Sequence, residues 1–149
     1  MRPGHLIRCL LRFTNDLVDT LNEAIPNGDV QYWSWENRTE ETALPHTNLL
    51  GLADFSFDDA SKIWISRFSL VYSSYRDANL LNESFVLDVL YDSIKRLDKI
   101  PLRDNNDGSI VSEAIITACS VLPSDTSLLR NYRPFALEIQ STGPVGAGD

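Results

Sequence analysis

Cysteine is scarce in this 149-residue chain. The two present, Cys9 and Cys119, fall in a predicted helix and a predicted strand, where they read as small buried hydrophobes, so a disulfide framework is not expected. No apolar run is long enough to cross a membrane, and Arg8 and Arg12 interrupt the opening stretch where a signal peptide would need continuity. A protein made and kept in the cytoplasm, or assembled there, is the expectation. Histidine is limited to His5 and His46, neither with Cys or His partners at zinc spacing. There is no nucleophile elbow, and Gly143, Gly146 and Gly148 crowd the last residues instead of forming a phosphate loop between strand and helix. Positive charge is short as well, with 13 Lys and Arg against 21 Asp and Glu, a net charge of −8 and a pI of about 4.6. That balance excludes a surface that holds nucleic acid by neutralising phosphates, which needs clustered Lys and Arg.

What is present is enough apolar material for one core. Hydrophobic residues make up 43%, with 3 Trp, 5 Tyr and 6 Phe, and 149 residues suit a single domain. The organising stretch is Ile63 to Leu97. Ile63 to Tyr72 is rich in β-branched and aromatic residues and predicts a strand. Beyond Ser73 to Asp77 the period changes, with Leu81, Phe85 and Val89 on one row and Val86, Leu90, Ile94 and Leu97 on the next, which predicts a helix. Upstream, Leu6, Leu10, Phe13, Leu17, Leu21 and Ala24 recur at three and four and predict an amphipathic helix stopped by Pro26-Asn27-Gly28.

Val30 to Glu36 reads as a short strand carrying Trp33 and Trp35 on one face. Residues 37–52 lack periodicity and read as an extended loop or arm. Phe55 and Phe57 alternate with acidic and Ser residues and lead through Asp58 to Lys62 into a hairpin with the central strand. Ile110 to Leu122 and Phe135 to Ser141 form a second hairpin, and the small-residue stretch 142–149 reads as a flexible tail. The expected class is α+β, a small, mainly antiparallel sheet of four to five strands with two helices packed on one face. Both faces of the central strand are apolar, and so are those of the strand from Ile110. Covering the second face needs either a folded-back loop, with Leu44, Leu49 and Leu50, or a second subunit.

Glu36, Glu40, Glu41, Asp54, Asp58 and Asp59 offer oxygen ligands, but their spacing fits no calcium loop and solvated acidic residues are the plainer reading. Asn37-Arg38-Thr39 and Asn82-Glu83-Ser84 match the glycosylation triplet without a secretion signal. Trp33 and Trp35 are more simply explained by packing or a subunit contact than by ligand stacking. No catalytic residue, cofactor or metal is expected.

The order of helix, short strand, long irregular segment, strand into helix and final hairpin resembles the tail-terminator or tail-completion proteins of long-tailed bacteriophages. Two passages carry the likeness, Arg67 to Ala78, an alternating strand running through a polar turn into a helix, and Tyr132-Arg133-Pro134-Phe135-Ala136-Leu137-Glu138-Ile139 as a final strand. The resemblance implies a virion protein, assembled in the host cytoplasm, that forms a hexameric ring at the head-proximal end of the tail. Such a ring halts tail-tube polymerisation, meets the tube protein below and a neck or connector protein above, and lets DNA pass through an acidic lumen without specific binding; no membrane is involved. The candidate interface residues are Trp33, Trp35, Glu40, Glu41, Leu49, Leu50, Trp64, Arg130, Tyr132 and Arg133. Alternatives are another neck or head-completion protein and, in a different class, a small ligand-binding or enzymatic α+β domain.

Overall fold

The computed structural model describes residues 1–24, 30–32, 48–75, 80–95, 98–123 and 132–146. Helix α1 spans Pro3–Ala24 and begins on a proline, whose missing N–H costs nothing in a first turn. It buries Leu6, Cys9, Leu10, Leu17, Val18 and Leu21 on one stripe. Thr14 is buried on the same stripe, its hydroxyl satisfied by donation to the Leu10 carbonyl at 2.8 Å. Helix α2, Leu80–Lys95, turns Val86, Leu90 and Ile94 fully inward, while Val89 of the other apolar row packs partly buried against the core. Phe85, from the other row, is 55% exposed.

The strands are β1 (Val30–Tyr32), β2 (Asn48–Ala60), β3 (Ile63–Tyr75), β4 (Lys99–Arg103), β5 (Ile110–Pro123) and β6 (Tyr132–Pro144). They form one sheet in the order β1-β2-β3-β6-β5-β4, with β1 parallel to β2 and every other pair antiparallel. The expectation of four to five mainly antiparallel strands is therefore corrected to six in a mixed sheet, curled into a half-barrel, while α+β still describes the class broadly. Three features account for the difference. β2 starts at Asn48, inside the stretch read as an arm; β1 joins it in parallel; and β4, Lys99–Arg103, is a strand that the sequence pattern does not predict. α1 touches β1 and β2 at one end of the sheet and β4 at the other, so it closes the open side of the curl.

The inner face holds the core. Leu50, Trp64, Phe68, Leu70, Tyr72, Leu137 and Ile139 meet the helix residues there, and full burial of such side chains stabilises by about 1.5–3 kcal/mol each. Trp64 is wholly buried, stacks on Phe57 at 6.2 Å and 22°, and lies opposite Gly143 of β6. The stretch read as a tail from 142 onward thus begins in the sheet: Thr142, Gly143 and Pro144 pair with Ile65, Trp64 and Ile63. The Val145 N–H donates to the Lys62 carbonyl at 3.1 Å, and the Met1 ammonium donates to the Val145 carbonyl.

Two side chains fasten the edges. The Asn22 amide both donates to the Val30 carbonyl and accepts from its N–H, each at 2.9 Å, so a helix side chain acts as the missing strand beside β1. Arg12 reaches the β4–β5 turn and donates to the carbonyls of Asp104 at 3.0 Å and Asn105 at 3.3 Å. That turn contains Gly108 at φ 75°, a conformation glycine adopts without strain.

Candidate functional site

The face of the sheet away from the helices can be mapped from the strand register and burial. Side chains alternate along each strand, so residues paired across strands share a face and form rows. At the β2–β3 turn, Ile63 pairs with Ala60 and Pro144; one step along lie Asp58, Ile65, Thr142, Ile115 and Lys99. Next come Ser56, Arg67, Gln140 and Ala118, then Ala53, Ser69, Glu138 and Ser120. Farthest from the turn lie Gly51, Val71, Ala136 and Leu122, with Leu49 and Ser73 beyond.

These rows differ sharply in exposure. Val71, Leu49, Ala136 and Ala53 are buried within the single chain, which answers half of the two-sided apolar pattern without any partner. The other half is open. Ile63 is 45% and Ile115 48% exposed, Ile65 is half-buried between them, and Pro144 is exposed beside Ile63. Leu122 at the far end of β5 is open too. Isolated exposed aliphatics need no explanation, whereas neighbouring ones in adjoining rows mark a surface that gains by being covered. The patch is rimmed by Asp58, Lys62 and the Lys99–Glu113 ion pair at 3.4 Å. An apolar centre inside a charged rim is the anatomy of a protein contact.

The residues singled out from sequence fare unevenly. Leu49, Leu50 and Trp64 are at most 1% exposed, so they are not surface contacts: Leu50 and Trp64 face the helices, and Leu49 is covered on the opposite side. Tyr132 and Arg133 lie in β6, paired with Tyr75 and Ser74. Trp33, Trp35, Glu40, Glu41 and Arg130 fall outside the described residues, as do 37–47 of the expected arm; residues 48–52 belong to β2. Ile63, Ile115 and Pro144 were not singled out, because only the register brings them together.

Groups with shifted acidity sit away from this patch. Burial pushes the Cys9 thiol up, with the Asp104 charge adding to it and Arg8 opposing. Burial, and then the Glu83 carboxylate, raise the Tyr72 hydroxyl well above its ordinary range. Asp107 is lowered by the backbone amide and hydroxyl of Ser109, which hydrogen-bond its carboxylate at 2.9 and 2.7 Å. Among the described residues no group of three or more His, Cys, Asp or Glu could hold a metal ion.

The molecule is thus an α+β domain with a curled six-stranded sheet and a partly uncovered second face. No protein-family model matches the chain, and no curated protein matches it.

Proposed function

We propose that this chain is a structural subunit that joins copies of itself into a ring at the head-proximal end of a phage tail, ending tube growth and offering a docking face to the neck. The observation that carries the proposal is the open apolar patch of Ile63, Ile65, Ile115 and Pro144 on the helix-free face. It supplies one half of the heterologous contact a closed ring requires, each subunit giving one surface and receiving another. The element order and the two passages that resemble tail-terminator proteins supply the rest. The net charge of −8 agrees with a lumen that passes DNA without retaining it.

The test uses the cognate tail-tube protein. With it, the wild-type chain should cap tubes at a defined length and show six-fold rings at the tube end by negative-stain microscopy. Ile63→Glu with Ile115→Glu should keep the thermal midpoint and lose capping, since both side chains are about half exposed. Tubes that grow without limit in the presence of wild-type protein, or capping that survives the double substitution, would overturn the proposal.

A further inference from the structure

The middle of the helix-free face is hollow, and side-chain size is the cause. Ser56, Ser69, Ala118 and Ser120 form a low floor between the longer Arg67, Glu138, Gln140 and Asp54, leaving a depression of about 430 Å³. That lies within the roughly 300–1,000 Å³ of small-molecule sites. Two β-bulges flank it, one in β2 between Ala53 and Ser56 and one in β5 between Ile116 and Ala118. Bulges re-aim side chains, and Asp54, at φ 55°, is delivered to the rim by the first of them.

Ser69 lies on the floor of the hollow and is 4% exposed. The charges around it are not paired with one another. Arg67 and Glu138 are diagonal neighbours across β3 and β6, within reach of one another at roughly 7–8 Å between backbones, yet they form no ion pair. Asp54 adds a second carboxylate, so the rim holds one guanidinium and two carboxylates.

We propose that this hollow binds a free basic amino acid, a small molecule with one carboxylate and two cationic nitrogens. Arg67 takes the carboxylate in the paired geometry guanidinium favours, with the Gln140 amide beside it. Glu138 and the Ser69 hydroxyl take the α-ammonium, and Asp54 takes the distal cation. Ligand and rim charges then sum to zero. This site stands apart from the isoleucine patch, and its failure would leave the ring reading untouched.

The experiment is a titration of the full-length chain followed by amide NMR, with L-lysine as the probe. L-norleucine, which lacks the second cation, and 1,5-diaminopentane, which lacks the carboxylate, are the comparators. Lysine should shift Arg67, Ser69, Glu138 and Gln140 saturably with a Kd of about 1 mM or tighter, and each comparator should bind about tenfold more weakly, a difference of about 1.4 kcal/mol. Arg67→Gln, at an exposed position, should weaken lysine about tenfold without weakening 1,5-diaminopentane, which has no carboxylate for the guanidinium to hold. Ser69→Leu should fill the floor and abolish binding. Absence of saturable shifts with lysine would overturn the proposal. So would equal affinity for 1,5-diaminopentane, which would mean only attraction of a cation to an acidic protein.

Discussion

Gly143 is the position at which one added methyl group should be felt most. A Cβ placed there would lie 2.4 Å from Trp64 Cζ2, 2.7 Å from Cε2 and 2.9 Å from Nε1, where carbon contacts settle at roughly 3.5–4.0 Å. The ring cannot yield cheaply, because Trp64 is wholly buried and stacked on Phe57. Gly143→Ala therefore has to displace either the core or the end of β6, and forced overpacking of this kind costs about 1–3 kcal/mol. In a domain of this size each kcal/mol is worth roughly 2–4 °C, so the thermal midpoint should fall by about 2–12 °C. Urea unfolding followed by far-UV circular dichroism should show a lower midpoint with an unchanged slope. The decisive measurement is a double-mutant cycle with Trp64→Leu. If the clash is the cause, the alanine should cost little once the indole is gone, and the two substitutions should couple by about 1 kcal/mol or more. A Gly143→Ala protein as stable as wild type, or one that loses the same amount in the Trp64→Leu background, would refute the reasoning.

Arg12→Met keeps the aliphatic stem but removes the donors to the Asp104 and Asn105 carbonyls; the expected loss is about 1–2 kcal/mol, with faster amide exchange at Gly108, and unchanged exchange there would show the clamp to be idle. The Asp107 carboxyl should titrate below its ordinary value of 3.8 by NMR, since Ser109 bonds the charged form. Its folded pKa is depressed, so its contribution to holding the turn is present above the ordinary carboxylate pKa and is lost as pH falls through the folded value. Asp107→Asn should remove that acid-range change in the turn, and a turn that still loosens identically on acidification would count against the assignment. Cys9, buried and with its thiol pushed up in pKa, should resist alkylation in the native protein and label only on unfolding, whereas rapid native labelling at Cys9 would mean that α1 detaches readily.

Periodicity made the two helices, β3 and β5 legible, because each is long and its burial is one-sided or apolar throughout. β4 was not legible: it has five residues and Pro101 in the middle. The sheet accommodates that proline at its edge. The Asp98 carbonyl accepts from the Ile116 N–H at 2.9 Å, so alternate residues Ile100 and Leu102 face β5 while Pro101 turns its missing donor outward, a placement that also discourages pairing with another chain. The start of β2 escaped notice because Leu49, Leu50, Gly51 and Leu52 do not alternate, being covered or partly covered on both faces. Trp64 drew attention for its size, but size gives no direction, and the register aims it at Gly143 and the core.

The layout of the second face was beyond the reach of pattern reading for a more specific reason. Counted by strict alternation from Ile115, Ala118 and Ser120 would point to the helices, and Cys119 and Val121 away from them. The extra residue at the β5 bulge reverses this, so that Ala118 and Ser120 join Gln140 and Glu138 on the outer face while Cys119 pairs with core Ile139. The same happens in β2, where the bulge after Ala53 puts Ser56 beside Arg67 and turns Phe57 inward against Trp64. Each bulge exchanges a large apolar residue for a small polar one on the outer face. Two such reversals on strands flanking β3 and β6 are what separate the open isoleucines from the buried Val71 row by a polar hollow. Both functional readings of this face, the contact patch and the ligand site, therefore depend on where two irregularities fall in otherwise regular strands.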